Sequence, residues 1–389
     1  MEERSRILGV LFLDHFVNDF YSVFIPIFIP ALVLNIEINY FEASILVSVV
    51  AIIGAVLQSP LGYWADLYRK RVVFMLLGFF FYALGAITLG LSGGFTLLFL
   101  SSVLIGLAAT TYHPQGTNLI TKNFSRKGRA LGVHGVGGQL GRFVSPFLIG
   151  FLISQFGWRK AALFLSLPAL IAIFFSRLAL REPEERGEKG FTKAITFPIL
   201  LLILILGIRG AVFQGVLSFL PSFFVSVGSS INIAGVLTGI MLGSGLIAQL
   251  TGGIMGDRVS KSKIIFFSLL GLTLIFSLFY IMMIHIVRTS VINYWLLIAP
   301  LFGIGFCIFT TFPIGLALSA ELTQGERVGT SVGIVLGGGM ILPSLTLPVI
   351  GYLIDNFGFV RGFSVLVILS LIATIISGFY LKWDFASEK

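Results

Sequence analysis

The chain has 389 residues, of which 57% are hydrophobic and 11% charged, with a mean hydropathy of +1.02; that leaves too little polar surface to cover a water-soluble globule of this size. Its net charge of +9 is not gathered on a polar face interleaved with aromatics, so no nucleic-acid partner is expected and the charge calls for a topological explanation. Cys307 is the only cysteine and lies in an apolar run, which excludes an intrachain disulfide and a cysteine metal cluster.

Apolar runs of about 18 residues or more, each able to cross roughly 30 Å of hydrocarbon as a helix, recur along the whole sequence. They predict an all-α polytopic membrane protein with twelve transmembrane helices. Met1–Arg6 and the run behind it are not a cleaved signal, because the run extends past Pro30, carries Asp14 and Asp19, and has no small-residue cleavage site. With the N-terminus placed inside, 20 of the 26 Lys and Arg residues fall on inner segments and four on outer ones, and Arg142 and Arg209 lie within helices. The positive-inside bias therefore puts both termini in the cytoplasm, with the chain multi-pass in the cell inner (plasma) membrane.

Predicted helix 1 runs from about Ile7 to Val33. At 100° per residue, Asp14, His15, Asn18, Asp19, Tyr21 and Ser22 fall within an arc of about 160°, opposite Leu13, Phe16, Val17, Phe20 and Val23. Ionised groups near the bilayer centre are costly, so this face should turn to protein or water. Pro26 and Pro30 should bend the outer half. Helix 2 ends at Pro60 in the charged turn Gly62-Tyr-Trp-Ala-Asp66-Leu-Tyr-Arg69-Lys70-Arg71, where the glycine lets helices approach and Asp66 can accept from a helix N-terminus or an arginine.

Helix 4 carries Tyr112-His113-Pro114-Gln115-Gly116, in which Pro114 cannot donate to the Thr110 carbonyl and opens a polar defect beside His113. Helix 5 carries His134-Gly-Val-Gly137-Gly138-Gln139-Leu-Gly141-Arg142, with a glycine spacing that suits tight packing and does not fit a dinucleotide fingerprint. Arg142, about twelve residues into its span, needs a carboxylate, a carbonyl or an anionic substrate. The charged stretch at 179–196 reads as a solvated linker between the halves. The expected domains are an N-terminal six-helix bundle at 1–178, that cytoplasmic linker, and a C-terminal six-helix bundle at 197–389.

The second half repeats the first. Gln58, Gly62 and Asp66 are matched by Gln249, Gly253 and Asp257 at a constant offset of 191, with Arg258 following. Pro26 aligns with Pro221, which sets Asp14 opposite Arg209 and Asp19 opposite Gln214; Gly150–Gly157 aligns with Gly351–Gly358, and Pro114 with Pro313. His113 has no counterpart. Asp355 and Arg361 read as a weak surface pair at an outer loop.

The doubled Gly-x-x-x-Asp turn, with basic residues after it, resembles the signature of the major facilitator superfamily of secondary transporters. Within it, His15-x-x-Asn18-Asp19, Gly62-Tyr-Trp-x-Asp66, His113-Pro114 and Val136-Gly-Gly138-x-x-Gly141 with Pro146 resemble the fosmidomycin resistance protein group. That resemblance implies two pseudo-symmetric six-helix bundles around a central cavity, and a proton-coupled exporter of drugs or small organic compounds, anionic ones included, working by alternating access. An uptake symporter or facilitator is the alternative, and a non-transporting receptor or membrane enzyme a more distant one; no enzyme activity is expected.

The proton-coupling candidates are Asp19, His113, His15 and Asp14. Substrate-binding candidates are Asn18, Tyr21, Gln115, Gln139, Arg142, Arg209 and Gln214, and the gating candidates are Gly62, Asp66, Arg69, Lys70, Gly253, Asp257 and Arg258. Arg142 and Arg209 are expected to hold an anionic group or to neutralise Asp14 and Asp19. No cofactor or metal is expected. The partners are a small-molecule substrate, protons and the lipid bilayer, and the chain is expected as a monomer.

Overall fold

The computed structural model describes residues 2–182, 196–322 and 328–387, and those residues form helices without strands. Most of the expected linker, 183–195, lies outside them. The helices are α1 (Glu2–Ser22), α2 (Phe24–Ile36), α3 (Tyr40–Leu67), α4 (Arg71–Leu91), α5 (Phe95–Ala109), α6 (Tyr112–Asn123) and α7 (Lys127–Phe156). They continue with α8 (Trp158–Phe164), α9 (Leu167–Ala179), α10 (Phe197–Ser226), α11 (Ile231–Gly256), α12 (Lys261–Thr289), α13 (Tyr294–Glu321) and α14 (Val328–Ser387).

Among the described residues, eleven helical segments are long and apolar enough to cross a membrane. The last, Gly337–Leu381, has 45 residues and leaves helical geometry at Gly358 (φ 79, ψ 170), so it holds two crossings and brings the total to the expected twelve.

Proline explains where three spans are divided. It lacks an N–H and its ring crowds the carbonyl four residues earlier. Pro26, Pro114 and Pro168 thus disturb Ser22, Thr110 and Phe164, and the breaks fall at Val23, at Thr110–Thr111 and at Leu165–Ser166. Their counterparts in the repeat, Pro221 and Pro313, sit inside unbroken helices, so the breaks are not part of the internal symmetry. The symmetry is visible elsewhere: Gly157 (φ 76) and Gly358 (φ 79), aligned by sequence, both adopt positive φ at the junction of consecutive spans, a conformation that favours glycine.

The chain forms two compact units, one of residues 1–38, 49–189 and 230–239, the other of 39–48, 190–229 and 240–389. In the first, α1 runs along α7 and is flanked by α6 and α9, while α4 packs on α5, α8 and α9. Both faces of α1 are covered: the apolar side chains Val17 and Phe20 are as buried as Asp14, Asn18 and Asp19. In the second unit, α10 runs along α14, and α12 packs on α13 and α14. Aromatic side chains fill part of its interior, with Phe363 lying 6.2 Å from Phe223 and 6.4 Å from Phe276 between ring centres.

Asp355 does not pair with Arg361 as expected. Its two carboxylate oxygens accept the backbone N–H groups of Tyr40 (2.9 Å) and Phe41 (2.8 Å), because the first turn of a helix has N–H groups without intrahelical partners and a dipole that favours negative charge.

Candidate proton and substrate site

The geometry of the site follows from how closely α1 and α7 approach. A Cβ on Gly137 would stand 2.5 Å from the Phe12 carbonyl oxygen, and one on Gly141 would overlap the Phe16 carbonyl. Ser145 Oγ donates to the Phe20 carbonyl at 2.8 Å. This glycine face of α7 brings Arg142 and the backbone of residues 134–138 against the polar side of α1, so the glycine spacing is used for packing, as expected.

Asp19 is at the centre. Its Oδ2 lies 3.0 Å from Arg142 Nη2 and 3.4 Å from His15 Nε2, and its Oδ1 accepts from Asn18 Nδ2 at 3.0 Å and lies 3.6 Å from His113 Nε2. Asn18 is itself oriented: Tyr82 on α4 donates its hydroxyl to Asn18 Oδ1 at 3.1 Å, which turns Nδ2 toward Asp19 and, at 3.3 Å, toward His113 Nε2. The Asp19 side chain is 3% exposed, whereas that of His113 is 40% exposed and that of Arg142 23%. The cluster therefore joins a buried carboxylate to an accessible imidazole and an accessible guanidinium.

Five of the sequence candidates, His15, Asn18, Asp19, His113 and Arg142, are thus brought together, and the expected neutralisation of Asp19 is made by Arg142. Asp14 is elsewhere. It is wholly buried and its two oxygens each lie 2.7 Å from Ser176 Oγ on α9, which donates to it. Arg209 in the second unit donates through Nε and Nη2 to the Ile308 carbonyl at 3.1 and 2.7 Å and lies over the rings of Phe312 and Phe213. Tyr21 donates its hydroxyl to the Leu165 carbonyl and stacks on Tyr82 at 4.5 Å between centres. The polar arc of helix 1 is thus divided: His15, Asn18 and Asp19 meet α4, α6 and α7, whereas Asp14 and Tyr21 meet α9 and the α8–α9 junction.

Gln115 and Gln139 are buried, with Gln115 Nε2 and Gln139 Oε1 lacking a hydrogen-bond partner among the described residues. Gln214 is half-buried. A buried amide left open in this way is a place for a polar ligand or a water.

At the charged turn, Gly62 packs beside Pro114, but a Cβ there would stand 3.5 Å from the proline Cβ, an ordinary contact distance, so the close approach expected of this glycine is not needed here. Its repeat, Gly253, meets nothing within 4 Å, so the second glycine does not serve the same contact. Arg69 takes a left-handed conformation (φ 55) that ends α3, with Lys70 N–H reaching back to the Ala65 carbonyl at 3.0 Å. The Asp66 side chain lies outside the described residues. Asp257 and Arg258 are exposed in the matching turn. Lys70 faces a cavity of about 510 Å³ shared with Arg177 and Arg181, where Glu182 accepts the N–H groups of Val72 and Val73 at 3.0 Å each.

Sequence reasoning missed Tyr82, Ser176 and His134. His134 is buried and its ring stacks on His15 with centres 4.0 Å apart; Tyr112 O–H lies 2.9 Å from its Nε2 and donates to the Leu11 carbonyl at 2.8 Å. Three of the four histidines of the chain converge here. The signal in the sequence was the phase of His134, which sits one helical turn before Gly138 and two before Arg142 on the face turned toward α1.

His15, Asp19 and His113 offer three donor atoms within 4.8 Å of one another, a spacing that suits a cation. Arg142 already supplies a positive charge to the same carboxylate, so this donor set is neutralised from within the protein.

Comparison with known proteins agrees with this architecture. The family model described as Major Facilitator Superfamily matches residues 10–276 and 202–388. A fosmidomycin resistance protein of Escherichia coli (strain K12) is 23% identical over 364 residues, covering 90% of this chain and 86% of that protein. A nitrite extrusion protein of Bacillus subtilis (strain 168) is 24% identical over 251 residues, 62% of this chain and 63% of that one. The crystal structure of a bacterial homolog of the human lysosomal transporter Spinster, inward-facing and occupied, superposes with a TM-score of 0.81 at 15% identity, covering 98% and 97% of the two chains. With twelve crossings, a doubled charged turn and a family model spanning nearly its whole length, the chain belongs to the Major Facilitator Superfamily of membrane transporters.

Proposed function

We propose that the chain is a proton-coupled exporter of drugs or small organic compounds, working by alternating access in the cell inner membrane with both termini in the cytoplasm. The two bundles of this reading are residues 1–178 and 197–389, joined by the segment at 179–196, and the charged turns at Gly62–Lys70 and Gly253–Arg258 gate the inner side. The observation that carries it is Asp19, a buried carboxylate held by His15, Arg142 and Asn18 and approached by the half-exposed His113. Ionisable groups at membrane depth that pair with one another mark proton and substrate pathways. The extent of the match to the fosmidomycin resistance protein, and the word extrusion in the name of the nitrite protein, support the outward direction.

A second reading is favoured by the charge of the same cluster. Without an added proton, Asp19 and Arg142 cancel; with one, the cluster carries a net charge of +1. A cationic substrate then competes with the proton, which gives exchange. An anion binds best beside it, which gives co-transport. The open amides of Gln115 and Gln139 suit a substrate of either sign.

Flux in proteoliposomes under pH gradients of both signs, with fosmidomycin and nitrite as the first probes, separates these readings. Substrate moving against the proton flow supports the exporter. Substrate moving with it replaces the exporter by an uptake symporter. Flux indifferent to the gradient removes proton coupling.

A further inference from the structure

Resting on the proton-coupled reading above, we propose that the cluster takes up its proton at Nε2 of His15, with Asp19 as an ionised counter-charge and His134 as the residue that positions the ring.

The hydrogen-bond partners fix the tautomer. His15 Nδ1 lies 2.8 Å from the backbone carbonyl of His134. A carbonyl oxygen only accepts, so Nδ1 bears the hydrogen as long as this bond lasts. In a neutral ring with Nδ1–H, Nε2 has a bare lone pair, and this one faces Asp19 Oδ2 at 3.4 Å. Lone pair against carboxylate is repulsive, and one hydrogen placed between them turns the contact into a charge-assisted hydrogen bond. Asp19 is already the acceptor on both oxygens, from Arg142 at 3.0 Å and from Asn18 at 3.0 Å. The hydrogen accordingly resides on the imidazole. No bond to carbon changes; one proton is added to Nε2 and later leaves it.

Two further observations bear on the same atom. A Cβ on Gly138 would stand 2.5 Å from both His15 Nε2 and Asp19 Oδ2, so the absence of a side chain there leaves room for the N–H···O contact. The ring of His134 lies flat against His15, 4.0 Å between centres and 26° between planes. The Tyr112 hydroxyl donates its only proton to the Leu11 carbonyl, so in the His134–Tyr112 contact the histidine Nε2–H is the donor, and His134 carries its hydrogen on Nε2. A neutral ring face stabilises a cation stacked on it, while a second cation at that distance would repel it. The stacked pair holds one added proton and not two.

The other groups facing His15 come from every neighbouring helix. Asp19 is on its own helix; Tyr112 and His113 on α6 stand 5.5 and 5.3 Å away between ring centres; His134 and Arg142 are on α7; and Tyr82 on α4 acts through Asn18. Asp14, one residue back, turns to Ser176. None of them offers the Nε2 hydrogen a better acceptor than Asp19.

The test reads protonation directly and needs no substrate. Full-length protein in lipid, carrying His285→Gln and labelled with ¹⁵N in histidine and ¹³C in aspartate side chains, is followed by NMR through a pH series, with His15→Gln and Asp19→Asn used to assign the signals. Nδ1–H of His15 is expected at every pH, with hydrogen appearing on its Nε2 toward acid while the Asp19 carboxylate signal keeps its ionised position. His134→Phe, which preserves a stacked ring and the backbone carbonyl but removes the Tyr112 bond, is expected to change the fraction of His15 carrying hydrogen on both nitrogens at a given pH, with folding intact; an unchanged fraction would remove His134 as the positioning residue. An Asp19 signal moving to the acid form while His15 stays singly protonated would overturn the proposal, as would a His15 ring with hydrogen on Nε2 and none on Nδ1. A His15 that loads as described in a protein whose flux ignores the pH gradient would keep the proton site and discard the coupled-transport reading.

Discussion

Arg142 Nη2 stands 3.0 Å from Asp19 Oδ2, joining α7 to α1 through a carboxylate that is almost wholly enclosed. Removing one member of such a pair leaves the other charge buried without its partner, at a cost of about 3–5 kcal/mol, whereas removing both is milder. Arg142→Ala should therefore lower the thermal stability of the purified protein more than the double variant Asp19→Asn/Arg142→Ala does. A double variant melting at or below the single one would show that the pair contributes little to folding.

In the proposed coupling, Asp19→Asn removes the carboxylate that counters the added proton. Accumulation driven by a pH gradient should disappear while exchange of substrate for substrate continues, as measured in proteoliposomes. Arg142→Ala should instead weaken binding, most strongly for anions, since a charge in a cavity of low dielectric discriminates by sign. Gradient-driven accumulation surviving in Asp19→Asn would take Asp19 out of the mechanism.

Gly138→Ala introduces a methyl group 2.5 Å from His15 Nε2 and Asp19 Oδ2, while Gly135→Ala, on the same helix, meets nothing within 4 Å. The first should cut gradient-driven flux by at least about tenfold, which is about 1.4 kcal/mol, and the second should leave it unchanged. Equal behaviour of the two, in flux and in expression level, would show that the gap over Gly138 is not needed.

Gly157 and Gly358 have nothing within 4 Å of a built Cβ, so alanine there meets only the backbone penalty of positive φ. Each substitution is expected to lower stability by about 1–3 kcal/mol, because φ is positive while ψ is extended (157 and 170), a region essentially reserved for glycine, and the two effects should be similar because the junctions are related by the internal repeat. Melting temperatures of the two variants and their combination provide the measurement.

Membrane orientation can be read by labelling. Cysteines introduced at positions 67, 124 and 259 of a Cys307→Ser variant should react from the cytoplasm, and those at 38, 229 and 357 from outside, following the asymmetry of Lys and Arg. Reversed accessibility after predicted helices 2 and 8 would remove the topology.

The spans were legible because a helix in hydrocarbon must be long and apolar, and the charged turns stand out against such runs. The division of helix 1 at Val23 and of helix 4 at Thr110–Thr111 could be anticipated from Pro26 and Pro114, since the missing N–H acts locally. The cluster around Asp19 was legible in part: helical phase placed His15, Asn18 and Asp19 together, and the burial cost of Arg142 required a partner. Phase could not tell which neighbour each part of the polar arc would meet, so Asp14 and Tyr21 were grouped with Asp19 although they turn to Ser176 and Leu165. Tyr82 and Ser176 lie in apolar runs where a lone hydroxyl carries no pattern. The repeat was misleading at Gly253, because a copied glycine keeps its place in the chain without keeping the contact that Gly62 makes with Pro114.

In the proton-coupled proposal, Asn18 would make passage across the cluster an ordered sequence of events. With its oxygen held by Tyr82, its amide N–H₂ is presented to Asp19 and to the lone pair of His113 Nε2 together. A proton arriving from the accessible side at His113 needs that same lone pair. The amide must release the ring before the ring can be charged, and a charged ring prevents the amide from returning until the proton has moved on. In that proposal the side chain would work as a turnstile: His113 is either occupied or latched, never both, and each proton would reset the latch for the next.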